Sequence, residues 1–276
     1  MGSTKLTIQK LLAGVMLGAV CTVATADTPS DPFANFQGTP EEKGEAIVHE
    51  SDERDSGFGD SVVDLTMILR DRDGTESVRH IVRKTLEIHR EGDKELDIFV
   101  QPPDVRGTTL LTYTHALKPD EQWVYLPALK RVKRIASANK SGPFMGSEFA
   151  YEDIVSQEVE KYTYRYLRDE TVDGHDCYVI ENIPAYEYSG YSRQVERMDK
   201  TIFMPRRLDY YDRKGELLKT LSIEDYQQFG KVWRAHKMTM TNHQTGKSSV
   251  LIWENFRFGT GLTDHDFNRN ALKRGK

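Results

Sequence analysis

PRRLDYYDRKGELLKTLSIEDYQQFGKVWRAHKMTMTNHQTGKSSVLIWENF, residues 205–256, is the stretch that decides the fold of this chain. Its apolar and polar residues alternate, and turn sequences interrupt the alternation at Lys214-Gly215, near Gly230 and at Thr245-Gly246. Alternation indicates strands with one buried face, and short turns between neighbouring strands indicate antiparallel hairpins. The last third of the chain therefore predicts an antiparallel meander. Its predicted strands are Thr201–Asp212, Leu217–Asp225, Trp233–Asn242 and Lys247–Phe256.

The same alternation extends towards the N-terminus. It is clear in residues 61–69 and 96–100, and Asp73-Gly74 and Asp173-Gly174 are typical hairpin turns. Residues 184–200 give no clear assignment. Roughly eleven strands are predicted in all, most of them joined by hairpins, which favours a mainly β fold with one antiparallel sheet curled into an open or closed barrel.

Two short helices interrupt the strands. Thr39-Pro40-Glu41-Glu42 combines an N-cap, a proline at the first helical position and a glutamate at the third, which predicts a helix from there to about Asp55. Residues 136–147 have the composition of turns, and Ser147 then resembles the cap of a second short helix, SEFAYEDIVSQ, residues 147–157.

The N-terminus has the three parts of a secretory signal. Lys5 and Lys10 precede the apolar run 11–23, and Ala24-Thr25-Ala26 is typical of a cleavage site. We therefore expect residues 1–26 to be a cleaved signal peptide, 27–38 an extended leader and 39–276 one folded domain, soluble in the periplasm. Removal of 1–26 takes away two lysines and no acid, so the net charge changes from −5 to −7. A net-acidic chain argues against a general nucleic-acid-binding role.

Signatures of catalysis are scarce. The chain of 276 residues contains no G-x-S-x-G, H-E-x-x-H or G-x-G-x-x-G sequence. His175-Asp176-Cys177 and Asp264-His265-Asp266 each offer only adjacent residues, which alternate sides on a strand and do not converge on one metal ion. We therefore expect no enzyme activity, no metal site and no cofactor.

Five blocks of sequence carry a resemblance to a known family. The blocks are GTTLLTYTH (107–115), WVYLPALKRVKRI (123–135), FMGSEFAYEDI (144–154), PRRLDYYDRKGELLKTL (205–221) and LTDHDF (262–267). With them the chain resembles the outer-membrane lipoprotein-sorting proteins of the LolA/LolB-like superfamily, most closely the branch found beside exporters of the resistance-nodulation-division (RND) type. The resemblance implies an unclosed antiparallel half-barrel, about 39–276, whose apolar concave face is covered by short helices. It also implies a carrier that shields a lipid, or the acyl chains of a lipoprotein, between membranes.

Methionines and aromatic residues on the strands are the candidates for a lipid-contacting wall, because flexible Met and amphipathic Tyr and Trp adapt to a greasy ligand. Ordinary core packing is the alternative for each of them, and periodicity does not decide which face lines a cavity. The candidates are Met67, Ile98, Leu111, Tyr113, Trp123, Tyr125, Phe144, Met145, Phe149, Tyr164, Met204, Met238, Met240 and Trp253.

Two further segments are candidates for contact and movement. Residues 136–157 are predicted to form a lid whose Phe144, Met145 and Phe149 cover the concavity; a permanently packed crossover is the alternative. Lys130, Arg131, Lys133 and Arg134 form a basic cluster, which predicts contact with phosphate headgroups or with an acidic surface of the exporter. A solvated strand end is the other interpretation of this cluster.

These observations together favour a monomeric, non-enzymatic carrier. Its expected partners are a lipid or lipoprotein cargo, an RND-type inner-membrane exporter and an outer-membrane acceptor, with no nucleic acid. The alternative is a periplasmic sensor or adaptor that uses the half-barrel to bind a partner protein. A lipid hydrolase is disfavoured because no nucleophile and base are paired in the sequence.

Overall fold

The computed structural model of this chain describes residues 31–89 and 91–274. The expected signal peptide, 1–26, and the first four residues of the leader lie outside the described residues. The rest of the leader packs against the domain, since the ring of Phe33 lies 6.0 Å from that of Tyr178 and 6.1 Å from that of Phe203, between centroids. Within the described ranges, no helix is both long and apolar enough to cross a membrane.

One antiparallel sheet of thirteen strands forms the domain. Helix α1 (Pro40–Asp55) precedes it and helix α2 (Ala271–Arg274) ends it. The strands are β1 (Asp60–Arg70), β2 (Glu76–Leu86), β3 (Lys94–Gln101), β4 (Thr109–Tyr113), β5 (Glu121–Leu126), β6 (Arg131–Ile135), β7 (Tyr162–Val172), β8 (His175–Pro184), β9 (Tyr191–Asp199), β10 (Pro205–Asp212), β11 (Leu217–Phe229), β12 (Val232–Asn242) and β13 (Ser248–Phe258).

The strand order is β6-β5-β4-β3-β2-β1-β13-β12-β11-β10-β9-β8-β7. The chain thus builds half of the sheet outward from β1 to β6, crosses to the far edge and returns strand by strand to pair β13 with β1. The crossover, residues 136–161, is the one long connection among the described strands. Edge strands β6 and β7 do not pair within this part of the chain, so the sheet is open, as the resemblance implied.

The strand count of about eleven was too low. The additional strand β9 lies in residues 184–200, where polar side chains such as Gln194, Glu196 and Asp199 are buried and no apolar alternation is visible. The strand predicted from Thr201 begins only at Pro205, because the Asp199 carboxylate accepts hydrogen bonds from the backbone N–H groups of Thr201 (2.7 Å) and Ile202 (3.2 Å) and holds a tight turn.

The second predicted helix, residues 147–157, is absent; its place is taken by turns and bends. The Ser147 hydroxyl donates back to the Phe144 carbonyl at 2.8 Å instead of capping a following turn. Side chains of the sheet replace helical hydrogen bonds further along, since Lys219 Nζ donates to the Glu148 carbonyl (3.0 Å) and Gln122 Nε2 to the Tyr151 carbonyl (3.3 Å). Tertiary contacts therefore override the local helical signal.

Contacts of the crossover show how far the sheet curls. In a flat sheet, β5 and β9 would lie roughly 43 Å apart, at nine spacings of about 4.8 Å. Yet Tyr151 is bonded to Gln122 on β5, and Asp153, two residues on, accepts a hydrogen bond from the Tyr191 hydroxyl on β9 at 2.7 Å. The sheet must therefore bend around residues 151–153, which makes the face that carries Phe99 and Leu110 the concave one.

Helix α1 begins with the predicted capping box and covers β7. The Thr39 hydroxyl accepts from Glu42 N at 3.2 Å, while the Glu42 carboxylate accepts from Thr39 N at 2.7 Å. Gly44 lets the helix touch the strand, since a Cβ there would lie 2.8 Å from Tyr166 N and 2.9 Å from Arg165 N. Close backbone contact, more than apolar area, thus sets the position of α1.

We expect Gly44→Ala to lower the free energy of unfolding by about 1–3 kcal/mol, because the added methyl group pushes α1 away from β7. Helix propensity alone predicts the opposite, a gain of about 1 kcal/mol. Urea unfolding measures the change, with the exposed helical substitution Glu45→Ala as the control. Equal or greater stability of Gly44→Ala would show that α1 is not docked this closely.

Candidate functional site

The crossover segment, residues 136–161, lies on the concave face and fills its centre. Phe144, Phe149 and Ile154 are 1%, 2% and 7% exposed and belong to the largest apolar cluster of the domain. The Phe144 ring lies 6.0 Å from that of Phe99 and 5.6 Å from that of Tyr151, between centroids. The hollow of the half-barrel is therefore occupied by the protein's own side chains.

A buried ion pair fastens the crossover to the sheet. Asp153 accepts from Lys219 Nζ at 2.6 Å, from the Tyr191 hydroxyl at 2.7 Å and from Ala150 N at 2.6 Å. The two charged side chains are only 1% and 5% exposed. Removing one partner of such a pair leaves a buried, uncompensated charge. The turn at residues 150–153 is thus held from β9 and β11 together.

Glu152 fastens the same turn to the loop between β8 and β9. Its carboxylate accepts from the Tyr186 hydroxyl (2.9 Å), from Ser189 Oγ (3.0 Å) and from Gly190 N (2.8 Å). Burial raises the pKa of Glu152, and the neighbouring charge of Asp153 raises it further. The approach needs Gly190, since a Cβ there would lie 2.9 Å from the carboxylate.

A third anchor is a charged group on β2 and β3. Arg83 binds both carboxylate oxygens of Asp97, at 2.6 and 2.8 Å, and also donates to the Ile154 carbonyl at 3.4 Å. Burial raises the pKa of the adjacent Glu95 to about 7, although the positive charge of Arg83 opposes the shift. Glu95 Oε2 has no hydrogen-bond partner among residues 31–89 and 91–274.

Beside the crossover lies a cavity of about 430 Å³, which we call the edge cleft. It is bounded by the loop before β5, the crossover and the strands β7 to β9. This volume is typical of ligand pockets, which measure roughly 300–1,000 Å³. Leu117 and Tyr188, 87% and 54% exposed, stand at its rim. Its apolar and aromatic lining consists of Leu117, Val155, Tyr162, Tyr186, Tyr188 and Tyr210.

A second cavity, of about 320 Å³, lies on the other side of residues 156–160, and we call it the acidic cleft. Helix α1, the turn between β2 and β3, and β9 form its other walls. Burial raises the pKa of Asp93 to about 6 and that of Glu158 to about 7, and neighbouring carboxylates add to both shifts. Ser156, Gln157 and Glu160 of the crossover line both clefts, as does Ala116 in the loop before β5, so the two clefts are neighbours.

The structure brings nine of the fourteen candidate wall residues to the interior. Seven of them belong to the apolar cluster around the crossover: Met67, Phe144, Met145, Phe149, Met238, Met240 and Trp253. Tyr164 and Met204 line the acidic cleft instead. Most of the nine are buried against the crossover and not open to a cavity.

The other five candidates lie on the opposite face of the sheet. Ile98, Leu111, Tyr113, Trp123 and Tyr125 pack there with Phe267, Ala271 and Leu272 of the C-terminal segment. Thr109 Oγ1 donates to the Leu272 carbonyl at 2.7 Å, and the guanidinium of Arg269 lies 4.9 Å from the Trp123 ring centroid. These residues are therefore the core beneath the C-terminus and do not face the hollow.

The basic cluster lies on and beside the edge strand β6. Lys130, Arg131, Lys133 and Arg134 are all exposed, and Arg134 pairs with Glu121 at 3.1 Å. Charges on an edge strand also protect its unpaired backbone from joining another sheet. Both interpretations given by the sequence therefore stay open for this cluster.

The lining of the edge cleft was missed from the sequence. Leu117 lies in a turn, and Tyr186 and Tyr188 lie in the unassigned stretch 184–200. The only signal was the density of tyrosines between residues 162 and 191, which no strand pattern connected to the loop before β5. Contact between segments so distant in the chain becomes visible only in the folded structure.

The fold identifies the class of this protein as a LolA-type half-barrel. A LolA superfamily protein from Nitrosomonas europaea has the same fold, with a TM-score of 0.67 at 21% identity over 83% of this chain and 98% of that one. The comparison with curated proteins gives no match.

Two more similar structures and a family model define the family. A proposed outer membrane lipoprotein-sorting protein domain from Vibrio parahaemolyticus is 53% identical, with a TM-score of 0.83 over 85% of this chain and 100% of that one. A DUF1329 family protein from Desulfovibrio piger is 31% identical, with a TM-score of 0.81 and the same coverage. A family model described as "Uncharacterized protein" matches residues 91–274. The chain belongs to this family of lipoprotein-sorting-like domains, which confirms the resemblance to lipoprotein-sorting proteins found in the sequence.

We expect Lys219→Met to lower the free energy of unfolding by about 3–5 kcal/mol, because it leaves Asp153 buried without its cation. Denaturant unfolding measures the loss, and limited proteolysis within residues 136–157 shows whether the crossover is released. Lys214→Met, in the exposed turn after β10, is the matched control and should change stability by less than about 0.5 kcal/mol. Similar effects of the two substitutions would contradict an anchoring role for Lys219.

Stability should fall as the pH rises from about 5 to about 8. In the unfolded chain these carboxyl groups ionise near pH 4, whereas folding raises the pKa of Asp93 to about 6 and those of Glu95 and Glu158 to about 7. The folded state therefore holds protons that the unfolded state has lost, and it loses this advantage as the pH passes through 6–7. Thermal unfolding across this range measures the slope.

Glu95→Gln should reduce this slope, since it removes one of the three groups. Glu216→Gln, an exposed residue in the turn between β10 and β11, should leave the slope unchanged. Stability that stays level or rises over the same pH range would contradict raised pKa values of these carboxyl groups in the folded protein.

Proposed function

We propose that this protein is a periplasmic carrier that binds a lipid, or the acyl chains of a lipoprotein, inside the half-barrel and moves it between membranes. The observation that supports this most directly is the edge cleft. It lies beside the edge strand β7 and borders the crossover, whose residues 144–154 fill the apolar hollow. The related Vibrio domain is described as an outer membrane lipoprotein-sorting protein, which agrees with this role.

The physical problem that such a carrier solves is the cost of exposing an acyl chain to water. Each CH₂ group resists transfer into water by about 0.8 kcal/mol, so a chain of 16 carbons resists it by roughly 12 kcal/mol. An apolar hollow removes most of this cost. The binding must stay weak enough for an acceptor to withdraw the cargo.

In this proposal the crossover limits the affinity for the cargo. Phe144, Phe149 and Ile154 occupy the surface that an acyl chain would contact, so cargo and crossover compete for it. Cargo that enters through the edge cleft displaces the crossover, and the anchors at Asp153 and Glu152 draw the crossover back when the cargo leaves. The lid predicted for residues 136–157 is, in this view, a plug that is part of the core of the empty protein.

The expected setting is the periplasm, reached through the signal peptide, with transfer from an RND-type inner-membrane exporter to an outer-membrane acceptor. A monomer suffices, since the hollow is formed within one chain. The basic cluster at Lys130, Arg131, Lys133 and Arg134 is the proposed contact with phosphate headgroups or with the exporter. No enzymatic step is needed for this function.

A sensor or adaptor is the second candidate function, and one observation favours it. The crossover is held by three buried polar anchors in addition to its apolar side chains. A segment fixed in this way can also be a permanent core that leaves only the outer surface for a partner protein. The two functions differ in whether the crossover has to move.

A disulfide between the crossover and β13 distinguishes them. Glu148 N lies 3.0 Å from Ser249 Oγ, which brings Glu148→Cys and Ser249→Cys within the reach of a disulfide. A carrier should take up lipid from phospholipid vesicles when this pair is reduced and lose most of the uptake when it is oxidised. Native mass spectrometry of the protein after incubation with vesicles measures bound lipid.

The matched control is a disulfide that leaves the crossover free. Arg70 and Glu76 are partners in the hairpin of β1 and β2, so Arg70→Cys with Glu76→Cys should bind lipid equally well in both redox states. Full uptake by the oxidised Glu148–Ser249 variant would reject the plug. The absence of bound lipid in every form would reject the carrier and leave the adaptor.

A further inference from the structure

The acidic cleft has an excess of negative charge at its wall. Eight carboxylate side chains line it, and no lysine or arginine of the described residues does. Three of the eight are occupied: Asp55 by Arg234, Glu87 by the backbone N–H groups of Gly57 and Gly59, and Asp93 by Ser156 Oγ at 3.0 Å. Only Asp55 meets a positive charge; the donors to Glu87 and Asp93 are neutral and do not cancel the negative charge of those side chains.

Three of the remaining carboxylates lack a close ion-pair partner among the described residues. Asp52, Glu158 and Glu160 form no ion pair with any lysine, arginine or histidine in the described part of the chain. Burial raises the pKa of Asp52, and the negative charge of Glu160 raises it further. Like charges gathered in a partly desolvated space destabilise one another unless some of the groups bind protons or a cation joins them.

Glu196 provides an independent sign that a ligand belongs here. It lies on β9, is 4% exposed and lines the acidic cleft. One carboxylate oxygen accepts from Asn182 Nδ2 at 2.7 Å, and no group among residues 31–89 and 91–274 donates to the other. This oxygen keeps some accessible surface and faces the cleft, where an N–H donor from outside the chain can form a charge-assisted hydrogen bond with it.

Neighbouring buried amides extend the same pattern. Asn182 Oδ1 and Gln194 Oε1 are buried without a hydrogen-bond partner among the described residues. Gln194 pairs in register with Asn182, and it lines the edge cleft next to the acidic cleft. Two buried acceptors without a donor, on β8 and β9, therefore lie beside the Glu196 carboxylate, and N–H or O–H donors are what they lack.

We propose that the acidic cleft binds the ammonium group of the cargo, so that the carrier prefers lipids whose polar end bears a protonated primary amine. This inference rests on the carrier function proposed above and names its substrate class. An ammonium group supplies both missing elements, a positive charge for Asp52 and Glu158 and an N–H donor for Glu196. The apolar chains then extend through the neighbouring edge cleft.

Other ligand classes fit less well. No group of three or more His, Cys, Asp or Glu side chains among the described residues is arranged to hold a metal ion. A neutral sugar would satisfy the acceptors but leave the excess negative charge, and an anionic headgroup would add to it. A quaternary ammonium brings charge without an N–H donor, which makes it a useful partial match.

The test compares three phospholipids with identical acyl chains. Protein is incubated with vesicles that contain equal amounts of phosphatidylethanolamine, phosphatidylcholine and phosphatidylglycerol, re-isolated, and its bound lipid extracted and quantified. We expect phosphatidylethanolamine to exceed phosphatidylglycerol by about tenfold or more, with phosphatidylcholine between them, as a charge-assisted hydrogen bond to a buried carboxylate implies.

Glu196→Gln should bring the three lipids close to equal occupancy while total bound lipid stays within about twofold. Glu216→Gln is the matched control and should keep the wild-type preference. Thermal unfolding checks that both variants fold. Glu158→Gln, on the crossover side of the cleft, provides a second test if Glu196→Gln fails to fold, and it should reduce the preference in the same direction.

The outcomes separate this inference from the carrier function. Equal binding of all three lipids by the wild type would overturn the ammonium site and leave the carrier intact. An unchanged preference in both Glu196→Gln and Glu158→Gln would also overturn it. If no lipid binds, titration calorimetry with spermidine tests the ammonium site by itself. Spermidine binding that is lost in Glu196→Gln would support the site. The absence of spermidine binding to the wild type would reject it.

Discussion

This open sheet has an apolar concave face that must be shielded from water, and the rest of the structure follows from that requirement. A sheet of thirteen strands that curls this far gathers the side chains of β1 to β5 and β9 to β13 into one hollow. Water cannot remain there without losing most of the hydrophobic stabilisation of the domain. The crossover covers the concave face, and its Phe144 and Phe149 fill the hollow. The C-terminal segment covers the apolar residues on the opposite face of the sheet.

The polar anchors give the crossover a defined position without tying it into the sheet. Asp153 pairs with Lys219 and the Ile154 carbonyl accepts from Arg83, and the crossover adds no strand to the sheet. Such polar contacts are directional and fix the position of the segment. The same region also separates charges: carboxylates gather between α1 and the crossover, while the exposed cations of the β6 edge lie at the end of the sheet. Carboxylates thus line an interior cleft, and lysines and arginines an edge strand, of one net-acidic chain.

Local patterns in the sequence were sufficient for the elements that depend on near neighbours. The capping box at Thr39 predicted α1, and the Asp-Gly pairs at 73–74 and 173–174 predicted their hairpins. Alternation predicted the meander of residues 205–256 and with it an antiparallel sheet. These signals are reliable because each arises from backbone geometry or side-chain hydrogen bonds within a few residues. The motifs shared with the lipoprotein-sorting family then supplied the open half-barrel.

Only the tertiary structure decided which residues face the hollow and what the segment after Ser147 becomes. Alternation distinguishes the two faces of a strand but does not show which face is concave. Trp123 and Leu111 were therefore predicted to share a wall with Met67. In the structure Trp123 and Leu111 lie beneath the C-terminal segment, on the other face of the sheet. Strand β9 was not predicted because several of its buried residues are polar, so it shows no apolar alternation. Whether these polar side chains have hydrogen-bond partners depends on the neighbouring strands. The sequence by itself determined the sheet and its turns, since these follow from local chemistry. The clefts and the placement of the crossover depend on contacts between residues more than a hundred positions apart, which only the folded sheet brings together.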